Sequence, residues 1–427
     1  MAVLLYQKGV TKYSPGLFLC LIITVIGCQK SYRPPAIVAP GSYLVVEGVI
    51  NAGPGKTTIM LSKTVDLSSS NTVNPVLNAT IMIESDKGAS YPVPGAGRGK
   101  YISAEQVLDI TAHYRLHIKT ADNHEYFSDF VPVTNAPPVD NVSFEVKNNG
   151  IQIYVSSHDP TNTTRFYRWE YEETWVLHTA YFSLFKSNGD TVLDRDLEND
   201  QIYQCWRSDT STTITLASSS GLSADVINNA PITFIEAGSR KLDGKQSQVF
   251  IQKQPETNAY TILVKQFALT GDAYRYWANL KKNTQDIGKI FDPQPTEIRG
   301  NIHSVTDPLE PVLGYISAGT TTTKRLFIAN GDIPTLWTLN TPYDACKIDS
   351  LFLDTLLRGN VKRVNQENTA FNLNRGTEPA VLQIPVYGIY NPLTGTIIGH
   401  TGSSPYCVDC TLQGTNKVPD FWRFTNQ

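Results

Sequence analysis

The chain has 427 residues, a formal net charge of −3, and charged residues at only 18 % of the total. So weak a field gives no electrostatic footing for nucleic acid, and none for an anionic lipid surface. With 21 tyrosines against 3 methionines, and with Thr, Ser, Asn and Val abundant, the composition predicts an exported, mainly β protein of two or three domains.

The first segment to carry information runs from Leu17 to Cys28, Leu-Phe-Leu-Cys-Leu-Ile-Ile-Thr-Val-Ile-Gly-Cys, behind Lys8 and Lys12. A basic flank, a short apolar core and a small residue before the cut predict an export signal over 1–27. The run is shorter than the roughly 20 apolar residues a bilayer-spanning helix needs. Its ending resembles a bacterial lipobox, so Cys28 is expected to be lipidated and the bond before it cleaved. Saturated acyl chains of the palmitate kind, at about 0.8 kcal/mol per buried methylene, would hold the product on a bilayer. Residues 28–40, with Pro34, Pro35 and Pro40, read as an extended tether.

Strand signals begin at Tyr43. Leu44 to Ile50 reads as a strand, Asn51-Ala52-Gly53-Pro54-Gly55 as a turn, and Thr57 to Leu61 as the returning strand. Gly55-Lys56-Thr57 superficially suggests a phosphate loop, but Ile50 stands where the first Gly should be, and a strand follows where a helix should open. Short strands at 79–85, 99–102, 112–119 and 126–131 complete a unit over 41–135 with the size and pattern of an immunoglobulin-like sandwich. His113 and His117 would lie about 13 Å apart along one strand, too far to share a metal, so these histidines and His124 are expected to be solvated.

Asn135-Ala136-Pro137-Pro138 is a stiff linker. A larger β-rich domain is expected over 139–427, opening on a hairpin about Asn148-Asn149-Gly150. In Arg165 to Trp175, Tyr167, Trp169 and Tyr171 fall on one face of a strand and form core. Arg168, Glu170 and Glu172 fall on the other, as a wet face or a binding lip. Ser223 to Asn229 reads as a short helix stopped by Pro231. The strongest helical pattern spans 272–287, where Ala273, Tyr276, Trp277 and Leu280 recur at helical spacing, with Thr270 or Asp272 as the cap and Gly288 past the end. The segment 291–308, dense in Pro, Gly and Asn, reads as loop. Strands resume at 313–318 and 325–328, Asp349 to Leu357 reads as helix, and 358–375 as a polar insertion.

Of the 6 cysteines, Cys20 lies in the leader and Cys28 is the anchor. Cys205, Cys346, Cys407 and Cys410 form an even set, for which two disulfides are expected in any of three connectivities. Pairing Cys346 with Cys407 or Cys410 would close a loop of about 60 residues, worth about 4 kcal/mol in the chain-entropy view. Cys407-Val-Asp-Cys410 has the spacing of one zinc knuckle, but no second knuckle exists, and neither metal nor cofactor is expected.

Several short motifs fall in one order along the chain. They are the lipobox, Leu44-Val45-Val46-Glu47-Gly48, Tyr167-Arg168-Trp169, Cys205-Trp206 and Tyr274-Arg275-Tyr276-Trp277. Then come Phe291-Asp292-Pro293 with Gly300-Asn301-Ile302-His303, Gly314-Tyr315, and Cys407-Val408-Asp409-Cys410 with Pro419-Asp420-Phe421-Trp422. In this order the chain resembles the Bacteroidota outer-membrane lipoproteins of domain-of-unknown-function family 4249. The resemblance implies an outer-membrane lipoprotein, often encoded beside a TonB-dependent receptor, with no catalytic residues to carry over. It leaves open which face of the membrane carries the body.

No Gly-x-Ser-x-Gly elbow and no His-Glu-x-x-His occurs. A hydrolase would have to be built from clusters such as Glu170, Glu172 and Glu173, or Asp292, Asp307 and Glu310 near His303. Such side chains on wet strands and in loops are usually just solvated. Binding asks less of the sequence. Tyr171, Trp175, Tyr181, Trp337 and Tyr343 are the candidate surface aromatics for stacking on a ligand or a protein rim. The expectation is therefore a non-catalytic accessory or substrate-binding partner of a TonB-dependent transporter, with an envelope adhesin or scaffold and a surface glycan or peptide hydrolase as alternatives.

Overall fold

The computed structural model describes residues 43–65, 73–242, 258–285, 298–337, 342–353, 355–356, 363–373 and 382–422. The expected signal peptide, Cys28, the tether, Asp292 and Gly288 lie outside the described residues.

The fold is mainly β, as the composition predicts. Leu44–Asn51 and Thr58–Lys63 pair antiparallel around the Asn51–Gly55 turn, so the Gly55-Lys56-Thr57 triplet sits in a hairpin. This layer faces a second one made of Thr80–Ser85, His113–Lys119 and Glu125–Ser128. Alternation does the work: Leu44, Val46, Ile59 and Leu61 from one layer meet Ile81, Ile83, Tyr114, Leu116 and Ile118 from the other in a single apolar cluster. Each fully buried Leu or Ile contributes about 1.5–3 kcal/mol.

The sandwich is not sequence-contiguous. Ser317–Gly319 inserts between Leu44–Asn51 and Val131–Thr134, parallel to both, and Ile302–Ser304 pairs with Glu125–Ser128. Part of the predicted loop at 291–308 is thus an edge strand of the first sandwich, and Ile302, Val312, Ile316 and Ala318 join its core. The Gly300-Asn301 and Gly314-Tyr315 motifs have a steric reason. A Cβ on Gly314, at φ +133°, would lie 2.1 Å from the Val46 carbonyl oxygen, and one on Gly300 would lie 1.6 Å from the Gly314 oxygen. Only bare backbone fits there. Asn301, buried, clamps the crossing by donating to the Ile316 carbonyl (2.9 Å) and accepting from the Ile316 amide (2.8 Å).

Beyond the Pro137-Pro138 linker, a three-stranded sheet faces a larger one. Val139–Lys147, Gly150–His158 and Val226–Glu236 form the first. Phe166–His178 is central in the second, flanked by Asn258–Ala268 on one side and by Gln204–Thr210 and Thr215–Ser218 on the other, with Thr321–Ala329 outermost. Tyr167, Trp169 and Tyr171 enter the core between the sheets, as their alternation requires.

The helix Gly271–Thr284 forms with Thr270 as its cap, accepting from the Ala273 amide at 3.2 Å. Two other helical expectations are overturned. Asp349–Phe352 is a strand paired with residues 399–402, and Ser223 to Asn229 leads into the strand Val226–Glu236. In both places an available ladder outcompetes weak local propensity, and a register shift opposite Tyr154 accommodates Pro231. Within the expected polar insertion, Gln366–Ala370 is helical behind an Asn365 cap. Among the described residues, no helix is long and apolar enough to cross a membrane.

The turn between strands Gly150–His158 and Phe166–His178 is organised by Asp159. It accepts from the amides of Thr161 (2.9 Å), Thr163 (3.0 Å) and Thr164 (2.8 Å), and from the hydroxyls of Thr161 and Thr163. Burial pushes this carboxyl up, but the threonine donors outweigh burial and hold it well below the usual carboxylate range. Asp159→Ala is expected to cost about 2 kcal/mol at neutral pH, since it orphans several amides at once. A depressed folded-state pKa gives stability that is complete above the unfolded value of about 3.9 and is lost as pH falls through the folded one. The gap between wild type and variant in denaturant unfolding should therefore narrow below pH 4. A constant gap down to pH 2 would contradict this account.

Candidate binding surface

The motifs sort into two groups by what they touch. The first builds the joint between the sandwiches. Arg168, buried, lies over Trp277 of the helix (4.2 Å to the ring centre) and Phe267 (4.8 Å), and donates to Glu170 at 2.9 Å. Burial lowers its pKa, opposed by Glu170. Tyr276 packs on Tyr315 at 5.2 Å, so the Tyr274–Trp277 and Gly314-Tyr315 motifs meet. The charged face of strand Phe166–His178, expected to be wet or a lip, is thus partly roofed by the helix. Glu172 pairs with Lys265, and buried Glu173 takes Lys241 and the Tyr260 hydroxyl. These carboxylates are engaged in packing contacts.

The second group straps the C-terminus to the larger sandwich. Cys205 bonds Cys410, and Cys346 bonds Cys407. Trp206 exchanges backbone hydrogen bonds with Thr415 and packs edge-on against Trp422. Pro405–Val408 forms one helical turn, and the Cys410 amide donates to the Ile202 carbonyl at 2.8 Å.

This strap carries a partly exposed aromatic cluster. Tyr343 lies three residues before Cys346, whose amide donates to its carbonyl at 2.8 Å. Its ring meets that of Tyr406 at 5.8 Å, and Tyr406 is 44 % exposed. The Arg240 guanidinium stacks over Tyr343 (5.1 Å) and donates to its hydroxyl (2.8 Å) and to Gln413 Oε1 (2.5 Å). Tyr181 supports it from beneath, donating its hydroxyl to the Cys346 carbonyl at 3.0 Å.

Of the five aromatics singled out from sequence, Tyr181 and Tyr343 come together here. Tyr171 and Trp175 do not belong to a surface. Both are buried in the larger core, Tyr171 donating to Thr233 (3.2 Å) and Trp175 lying beneath Lys241 and Arg207. Trp337 is half-buried against the same core. Arg240, Tyr406 and Gln413 were not singled out, because nothing local marks them; only the Tyr406-Cys407 adjacency hinted at one.

The histidines behave less simply than expected. His117, rather than being merely solvated, bridges Glu84 (2.9 Å) and Glu125 (2.7 Å). His113 meets Asp86, and His303 meets Asp129. Glu310 accepts from Tyr126 rather than facing His303. His400, paired across 2.8 Å with Glu367, is buried beside Phe185. Among the described residues, no group of three or more His, Cys, Asp or Glu side chains is arranged so that it could hold a metal ion.

Two layered β units joined by a roofing helix, with a disulfide-held strap at the end, define a mainly β protein built from several sheets. The chain belongs to the family described as Domain of unknown function (DUF4249), whose model matches residues 30–325. Among curated proteins none matches. Of solved structures, a two fibronectin type-III domain segment from chicken tenascin is similar at 10 % identity, covering 54 % of this chain and 93 % of that one, with a TM-score of 0.14. A Corynebacterium diphtheriae protein described as membrane anchored aligns at 11 % identity over 70 % of this chain and 62 % of its own, with a TM-score of 0.15.

Proposed function

We propose that this is a lipid-anchored envelope protein of the outer membrane that works by docking, as the non-catalytic accessory of a TonB-dependent transporter. The observation that carries the docking reading is the Tyr343–Tyr406–Arg240 cluster on its disulfide-braced base. Tyrosine and arginine are the residue types that dominate binding hot spots, and a rigid base lowers the ordering cost of association. The anchor rests on the Leu17–Cys28 leader, and the receptor on the family resemblance.

Gentle detergent extraction of outer membranes, followed by affinity capture, tests the partner. A stoichiometric β-barrel receptor is the expected co-product; its absence would favour an adhesin, scaffold or hydrolase instead. Tyr343→Ala with Tyr406→Ala is expected to weaken that capture about tenfold or more, at roughly 1–2 kcal/mol per hot-spot side chain, with unchanged thermal unfolding. Cys28→Ser should release the body from membranes and abolish the acyl mass on the N-terminal peptide.

A further inference from the structure

The two disulfides are nested in sequence: Cys346–Cys407 (separation 61) lies wholly inside Cys205–Cys410 (separation 205). Both native partners of the earlier cysteines therefore stand close together near the C-terminus, three positions apart in Cys407-Val408-Asp409-Cys410. A chain emerging N-terminus first exposes Cys205 and Cys346 while neither correct partner exists; with Cys20 removed in the expected leader and Cys28 acylated, the one bond then available is Cys205–Cys346. A complete but unfolded chain reaches the same place by another route. Loop closure favours short separations, so Cys407 meets Cys410 before either meets a distant thiol, and Cys205 is left with Cys346. Both routes converge on one wrong pairing.

Folding cannot easily prevent it. The contacts that fix Cys407 and Cys410 in their native places exist only once the strap has closed: the Cys407 carbonyl accepts from the Tyr181 amide (3.1 Å), and the Cys410 amide donates to the Ile202 carbonyl (2.8 Å). Cys205 and Cys410 are fully buried, so their bond must form before or during closure of the strap.

We infer that this chain is matured by disulfide exchange with an external dithiol, as the client of a thioredoxin-fold isomerase. The steps balance without net oxidation. A catalyst thiolate attacks the Cys410 sulfur of a Cys407–Cys410 bond, forming a mixed disulfide and releasing the Cys407 thiolate. That thiolate attacks the Cys346 sulfur of the Cys205–Cys346 bond, forming Cys346–Cys407 and releasing the Cys205 thiolate. Cys205 then attacks the Cys410 sulfur of the mixed disulfide, closing Cys205–Cys410 and returning the catalyst thiolate.

The test uses the full mature chain, reduced and unfolded, then diluted into a thiol-free oxidant such as diamide, with and without later addition of a disulfide isomerase in glutathione buffer. Peptide mapping by mass spectrometry without reduction reads the pairing. The expected result is Cys205–Cys346 with Cys407–Cys410 in oxidant alone, converted to the native set about tenfold faster with the isomerase than in buffer. Native pairing dominating in oxidant alone overturns the inference. The Cys346→Ser/Cys407→Ser variant has only one bond to make and should need no isomerase; equal dependence in that variant also overturns it. Should that variant fail to fold, the wild-type map still decides, because trapped bonds are read on unfolded chain.

Discussion

Replacing Cys205 and Cys410 together by serine is expected to lower the unfolding free energy by about 5 kcal/mol, the entropy that a cross-link over a separation of 205 removes from the unfolded chain. The bond joins strand Gln204–Thr210 to the strap at Cys410, and the sulfurs are fully buried. Its loss also loosens the Trp206–Trp422 contact, which covers the outer face of strand Phe166–His178 near Val176. The measurement is a denaturant titration of wild type against the double serine variant, both oxidised. The midpoint should fall with the slope conserved or increased, since the uncross-linked chain exposes more surface. A loss under about 1 kcal/mol would mean that the strap stays closed by packing alone. The companion change Cys346→Ser/Cys407→Ser removes the bond that closes a shorter loop, of separation 61, and should cost about 4 kcal/mol. It frees the base of the Tyr343 cluster, so binding should fall with it.

Gln266→Leu is the second large effect, at about 3 kcal/mol. Gln266 is fully buried and works as a polar node: its carbonyl accepts from the Trp169 indole N–H (2.9 Å), and its amide donates to the Pro137 carbonyl (2.8 Å) and to Ser157 Oγ (2.9 Å). Pro137 keeps a second donor in Thr322, and the Ser157 hydroxyl keeps the Pro138 carbonyl. Trp169 has no replacement. Leaving a buried donor unpaired costs about 1–3 kcal/mol beyond the bonds themselves. Adding Trp169→Phe to the leucine variant removes the orphan and should recover roughly half of the loss, an interaction that a double-mutant cycle reads directly. Strict additivity of the two changes would falsify the node.

Where side chains alternate against one neighbouring layer, the sequence was readable. Tyr167, Trp169 and Tyr171, and the run Tyr114 to Lys119, declare their inward faces because period two survives when one face meets core. It broke at Val176. From Thr174 to His178 every residue is buried, since Trp206 and Trp422 cover the second face at Val176. Trp175 itself falls on the face of Tyr167, Trp169 and Tyr171 and in the same core, so alternation marks it as inward rather than as a surface aromatic. Ser317–Gly319 was half legible: a strand is expected over 313–318, but three small residues declare no inward face, and their place is dictated by the two strands they enter. The Tyr343 cluster was half visible. Cysteine count announced two bonds, but the pairing that gathers Tyr343, Tyr406 and Arg240 depends on tertiary closure.

The insertion of Ser317–Gly319 between two first-layer strands limits how the gene could be divided. A fragment stopped at the proline hinge would keep most of its apolar filling yet lose a strand from the middle of its sheet. Leu44–Asn51 and Val131–Thr134 would then each present a raw row of amides and carbonyls, the template on which neighbouring molecules add. Such a half-gene should yield clumping product, whereas one carried through Gly319 would own both halves of its seam. Shuffling of these modules across evolution is correspondingly restricted: the front sandwich travels with part of the back one or not at all.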